Sequence, residues 1–194
     1  MSSPSDYTTL AVIKALMNIT STNATDDEVL ENSIDQASRM IDNITGRTFY
    51  ARTETHYYDT PNSLDLIIRD DDLLSITTLT NGDGTVISSA NYVFLPQNRS
   101  PKFGIRLKSG LALWYESTYG SQGAITVAGT WGYSAVAPTD IEKACQEIVV
   151  QAYHRREGQN TTGFVTITAA GVVITPDGVP ASAMAVLRRY IKRF

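Results

Sequence analysis

Two histidines, one cysteine and a run of three aspartates are the residues of this 194-residue chain with the chemistry for catalysis or metal binding. His154 sits in His-Arg-Arg at the end of a helical pattern, where solvation and compensation of the helix dipole explain it better than proton transfer. His56 lies in Arg-Thr-Glu-Thr-His-Tyr-Tyr, a strand-like stretch in which cross-strand packing is the expected role. Asp70, Asp71 and Asp72 are contiguous. A calcium loop instead spaces its oxygen ligands at alternate positions and adds a glycine turn and a later bidentate glutamate. The run therefore reads as a solvated bend between strands. Cys145 falls on an apolar helix face and is expected to be a buried, inert thiol. A single cysteine allows no internal disulfide, and with two histidines it disfavours a structural zinc site.

The sequence has no Gly-x-Ser-x-Gly elbow, no His-Glu-x-x-His and no phosphate-binding Gly-Lys-Ser/Thr loop. No catalytic, cofactor-binding or metal-ligating residue is assigned, no cofactor is expected, and the chain reads as a non-enzyme. The aromatic residues of the middle region interleave with Glu54, Asp59 and Glu116 rather than with basic side chains, which disfavours base stacking on nucleic acid.

These residues are carried by helices at the two ends and short strands between. Tyr-Thr-Thr-Leu-Ala-Val-Ile-Lys-Ala-Leu-Met predicts a short helix capped by Thr8 or Thr9, with Leu10, Ile13, Leu16 and Met17 on one face. After a polar linker, a longer helix is expected to open on a Thr25–Glu28 capping box and to close at Gly46. Its apolar positions are Val29, Leu30, Ile34, Ala37, Ile41 and Ile44. From about residue 52 the pattern becomes alternating runs separated by turn residues, with Thr-Asn-Gly-Asp-Gly-Thr as a hairpin signal. A third helix is expected from Thr139, with Glu142 completing a second capping box and Ile141, Cys145, Ile148, Val149 and Ala152 facing inward. A small hairpin near Ala170-Gly171 and a Pro180-led amphipathic helix follow.

The fold class is therefore α+β: a helical core with an inserted antiparallel β subdomain and a final amphipathic helix. The expected segments are 1–51 (N-terminal helices of the core), 52–132 (β), 133–160 (core helix, about 140–157) and 161–194 (hairpin and last helix). At the boundary, Ile125, Val127, Gly129 and Trp131 share one strand face, and Gly132 supplies a turn that a Cβ would oppose. Gly129, Trp131, Gly132 and Pro138 read as a structural joint, with Trp131 as a buried anchor rather than a ligand platform.

Charge is uneven. Residues 1–179 hold 12 basic against 20 acidic residues, a balance of −8, while Arg188, Arg189, Lys192 and Arg193 crowd the last seven positions. An acidic body disfavours tight binding to phosphate backbones. No apolar run approaches the roughly 20 residues of a membrane span, and Met-Ser-Ser-Pro-Ser-Asp-Tyr-Thr-Thr-Leu lacks the features of a signal peptide, so use without secretion is expected. The last helix separates apolar Met184, Leu187, Ile191 and Phe194 from the basic residues. Packing on its own domain and docking into another subunit both fit this pattern, and a membrane surface fits less well.

Three stretches resemble tailed-phage head–tail connector proteins, the adaptors and head completion proteins of the neck. The helix ending in Thr45-Gly46-Arg47-Thr48-Phe49-Tyr50 is similar to their opening. Ile-Thr-Val-Ala-Gly-Thr-Trp-Gly-Tyr followed by Pro-Thr-Asp-Ile is similar to their strand-to-helix junction. The Pro-led ending with Leu, Tyr and basic residues is similar to their closing segment. The resemblance implies a structural adaptor in the virion, built in the host cytoplasm, whose homo-oligomeric ring, commonly a dodecamer, docks on the portal and carries DNA through its channel without specific binding. It implies a stopper or tail-completion protein as a further partner, no membrane, and portal docking through Leu187, Arg188, Arg189, Tyr190, Ile191, Lys192, Arg193 and Phe194. A stopper or other neck component is the alternative, followed by a small hydrolase or nucleic-acid-processing subunit.

Overall fold

The computed structural model describes residues 5–156, 166–168, 171–173 and 179–192. In chain order the elements are α1 (Leu10–Leu16), α2 (Asp27–Thr45), β1 (Arg52–Tyr58), β2 (Asp65–Ile67), β3 (Leu73–Thr80), β4 (Tyr92–Leu95), β5 (Gly104–Leu107), β6 (Ile125–Trp131), α3 (Thr139–Arg156), β7 (Thr166–Thr168), β8 (Gly171–Val173) and α4 (Ala181–Tyr190). The α+β class expected from the sequence is the class observed. The chain divides into a helical unit, Met1–Gly46 with Ala137–Arg193, and a β unit, Arg47–Val136.

In the helical unit α2, α3 and α4 pack around Leu30, Ile34, Ile41, Ile141, Val149 and Leu187, all essentially inaccessible. The buried stripe of α2 includes Ser38 and Thr45. Their hydroxyls donate to the carbonyls of Ile34 and Ile41, both at 2.8 Å, so neither hydroxyl is stranded in the core. Gly46 ends α2 in the left-handed region at φ 63°, as its position predicted. The expected Thr25–Glu28 capping box does not form. The helix starts at Asp27, and Asp26, at the capping position, turns its carboxylate to the Tyr153 hydroxyl (3.0 Å) on α3 instead. Helix α3 begins at Thr139 as expected, but without the Thr139–Glu142 capping box: the carbonyl of Pro138 accepts the Glu142 N–H at 3.0 Å, and the Asp140 carboxylate accepts the Ile141 N–H. On the inner face of α3, Ala144 takes a buried place, and Ala152 is exposed.

Helix α1 departs furthest from its predicted pattern. Thr9 caps it by accepting the Val12 N–H, but only Ile13 of the expected apolar face is fully buried, and Leu16 is exposed. The second buried residue is Lys14. Its ammonium donates to the carbonyls of Ser21 (3.2 Å) and Asn23 (2.5 Å) and pairs with Asp27 at 2.7 Å. The polar linker is thus wrapped around a cation.

The β unit has two three-stranded antiparallel sheets, ordered β1-β6-β3 and β2-β5-β4. Both supply one core, in which Leu66, Leu73, Leu79, Ile105, Leu107, Ile125, Val127 and Trp131 are buried. Strand β6 is central, and its burial alternates along its length, with Ile125, Val127, Gly129 and Trp131 inward. Two of the alternating runs expected as strands, residues 85–88 and 111–115, form none. The return arm of the Asn81–Gly84 turn makes a Thr80–Val86 bridge, accepts the Asn81 N–H at the Thr85 carbonyl and donates the Ile87 N–H to the Leu79 carbonyl, both at 2.8 Å. Residues 111–115 join neither sheet and are held by side chains.

Candidate functional site

Helix α4 lies antiparallel to α3. Near its start the Ser182 hydroxyl donates to Glu147, and at its end the Tyr190 hydroxyl reaches both carboxylate oxygens of Asp140, at 2.9 and 2.8 Å. Between these ties Ala183 and Leu187 are buried in the helical unit. The N–H of Lys192 donates to the Thr45 carbonyl at 2.8 Å, fixing the chain just past the helix against the end of α2. Arg188 and Arg189 point outward beside the exposed Ile191. Of the eight residues assigned to docking, Leu187 and Tyr190 therefore anchor the helix to its own unit in this structure, and Arg188, Arg189 and Ile191 are its outward face. Arg193 and Phe194 lie outside the described residues. Of the acids that hold α4, Asp140 lies in the first turn of α3, where the helix dipole already accounts for its charge, and Glu147 lies mid-helix, where nothing in the sequence marks it as the partner of Ser182.

The joint residues of the β unit are tightly constrained. Trp131 is fully buried, donates its indole N–H to the Glu54 carbonyl at 3.0 Å, and stacks on His56. A Cβ on Gly129 would stand 2.2 Å from the Ser75 carbonyl oxygen, and one on Gly132 would stand 2.3 Å from that of Tyr50. Gly132 also has φ 130°, a conformation that disfavours other residues. Trp131 is an anchor, and its flanking glycines admit neighbouring backbone.

The aspartate run is a bend between β2 and β3, as expected, but it is solvated only at its first residue. Asp72 is buried and pairs with Arg47 at 2.6 Å, Asp71 pairs with Arg52, and only Asp70 is well exposed. Arg47 in turn lies 5.1 Å from the Tyr133 ring centroid. His56 places one ring nitrogen 3.2 Å from Glu54 and the other 3.3 Å from Asp70. Burial and the Asp70 carboxylate together push the Tyr58 phenol well above its ordinary value. Glu54, His56 and Asp71 bring possible ligand atoms within 4.8 Å of one another. Arg52 already bridges the two carboxylates, however, and a metal ion would have to displace that guanidinium. The cluster is an ion-pair network at one end of the sheet. Cys145 is fully buried, with its thiol pushed up to about 11 by burial, the inert state expected of it. Among the described residues no helix is long and apolar enough to cross a membrane.

A family model described as head completion protein matches residues 7–193, nearly the whole chain. The chain belongs to that family. Three solved structures share the fold. The neck of an empty GTA particle computed with C6 symmetry aligns at 15% identity and TM-score 0.62, over 95% of this chain and 89% of that one. The neck of a native GTA particle computed with C12 symmetry aligns at 16% and 0.62, over 95% and 88%. The virion of a native gene transfer agent (GTA) particle aligns at 17% and 0.59, over 95% and 89%. No curated protein sequence matches. As a head completion protein the chain is a structural part of a head–tail connector rather than an enzyme, and the resemblance seen in its Thr-Gly-Arg and Gly-Thr-Trp-Gly-Tyr stretches was to the right family.

Proposed function

We propose that this head completion protein is the adaptor of the neck. In this reading it forms a homo-oligomeric ring at the head–tail interface of the virion, seats on the portal through α4, and continues the DNA channel toward a stopper or tail-completion protein. The observation that carries the reading is the division of labour on α4. Leu187 and Tyr190 lock the helix to α3, which leaves Arg188, Arg189 and Ile191 presented on a rigid element. A pre-ordered basic ridge loses little entropy on docking and steers toward an acidic or phosphate-bearing partner. The acidic balance of residues 1–179 fits a channel through which DNA slides without sticking.

The test is charge reversal at Arg188 and Arg189, which leaves the buried face intact. Portal binding by the purified protein should be lost while the fold is retained. Unchanged binding to the portal, or crosslinks in particles to an adaptor ring instead, would place this chain elsewhere in the neck, as a stopper.

A further inference from the structure

We propose that residues 111–115 form an open strand edge that receives the β7–β8 hairpin of a second copy of this chain. The proposal rests on the ring reading above and names the contact that would build the ring.

Residues 112–115 form neither helix nor turn, and exposure alternates over 111–115. Leu111, Leu113 and Tyr115 are 60%, 56% and 50% exposed, whereas Ala112 and Trp114 pack on the β core. One edge of the segment is closed. Asn81, itself buried, donates its amide N–H to the Leu113 carbonyl at 2.9 Å and accepts the Tyr115 N–H at 2.8 Å. The Gly82 N–H donates to the Tyr115 carbonyl at 3.2 Å, an approach that a Cβ on Gly82 would block, since it would stand 2.3 Å from that oxygen.

In an extended chain, backbone groups of residues i and i+2 point to one side and those of i+1 to the other. The groups of Ala112 and Trp114 thus face away from Asn81, and among the described residues no hydrogen bond engages them. The Trp114 indole N–H is tied to the Leu64 carbonyl at 3.1 Å, which holds the segment in place. The result is an unpaired strand edge beside three exposed apolar side chains. Residues 109–115 carry no charge and no proline, the usual devices that blunt such an edge.

The occupant is argued from the same chain. Strands β7 and β8 pair only with each other among the described residues. A lone two-stranded hairpin is marginal in water. The two strands, Thr-Ile-Thr at 166–168 and Gly-Val-Val at 171–173, contain no charged residue and are β-branched apart from Gly171, so docking them on the uncharged 111–115 ridge strands no charge. Edge and hairpin are different patches of one chain, and a contact between different patches runs head to tail and closes into a ring under rotation. Main-chain pairing then supplies the affinity, as in other strand additions.

Cysteine pairing on portal-templated rings tests this, because the native Cys145 is buried and silent. Leu113→Cys protein and Thr166→Cys protein are mixed, assembled on the portal and mildly oxidised. The mixed disulfide should form at least about ten-fold faster than in the dilute mixture without portal, since docking raises the effective concentration of the two thiols. A Leu111→Lys/Leu113→Lys variant should keep its melting temperature and lose ring formation. Dominant 113–113 disulfides would overturn the proposal in favour of a symmetric edge pairing. Rings that form without any mixed disulfide would overturn it in favour of a different neck protein on the ridge. If no ring is seen by negative stain for the unmodified protein with its portal, the ring reading fails, and this contact with it.

Discussion

The Trp131 indole lies flat on the His56 imidazole, with ring centroids 3.8 Å apart and planes 8° from parallel. The two residues sit on neighbouring strands, β6 and β1, where His56 is registered opposite Val127 and so reaches Trp131 along the strand. Trp131→Ala should cost about 3–5 kcal/mol, as for other buried aromatics. His56→Ala, which removes the stack but little core volume, should cost only about 1 kcal/mol. Urea unfolding followed by circular dichroism measures both. Equal costs would mean that the imidazole, not the indole, carries the joint.

The linker between α1 and α2 makes a second prediction. Lys14 is buried among the carbonyls of Ser21 and Asn23 and the Asp27 carboxylate, so Lys14→Met would strip three acceptors of their shared donor. The expected loss is about 1.5–3 kcal/mol, the range for hydrogen bonds to a charged group. Hydrogen exchange should show the loss locally, as faster exchange of the α1 amides and of the Ile19 and Asn23 N–H groups. Unchanged protection would show that the linker holds its shape without the lysine.

Periodicity made the class, the order of elements and the inward face of β6 legible, because burial of one face imposes a repeat that the residues display. The buried Cys145 was legible for the same reason, and the end of α2 at Gly46 because glycine takes the left-handed cap at no steric cost. The features that were missed depend on polar groups satisfying one another at long range. Lys14 occupies a place where periodicity asks for an apolar residue, and nothing in its neighbours marks Ser21 and Asn23 as acceptors. Asp70, Asp71 and Asp72 look alike in sequence, yet Asp72 meets Arg47 and Asp71 meets Arg52 only after the β unit has folded. Leu-Ala-Leu-Trp-Tyr has the alternation of a strand, and Asn81 takes the place of a partner strand on one side only. In α4 the amphipathic pattern left self-packing and docking open. The fold answers for Leu187 and Tyr190, which pack at home.

Cys145 provides a pH signature. Its folded thiol is raised to about 11 by burial, above the ordinary value near 9. Between those values the folded state keeps a proton that the unfolded chain releases, so stability is full below about pH 9 and falls as pH rises toward 11. Other groups titrate in the same window, so the measurement is a difference: Cys145→Ala should lose less stability than the parent protein between pH 8.5 and roughly 10.5. In the folded parent at neutral pH, alkylation of the thiol should proceed only through unfolding. Rapid labelling under native conditions would contradict the buried placement.

Anchoring and docking on α4 can be separated by two sets of variants. Tyr190→Phe deletes the hydroxyl that reaches both oxygens of Asp140, and should cost about 2 kcal/mol because the acceptor is charged. Leu187→Ala opens a cavity in the helical core and should cost about 2–5 kcal/mol. Arg188→Glu and Arg189→Glu change exposed side chains and should move stability by no more than about 0.5 kcal/mol. Portal affinity should follow the opposite order, with charge reversal abolishing it. At a temperature where Tyr190→Phe remains folded, that variant should bind the portal nearly as well as the parent. If Tyr190→Phe instead loses binding at full folded population, the tyrosine itself leaves Asp140 to contact the partner, and α4 must rearrange on docking.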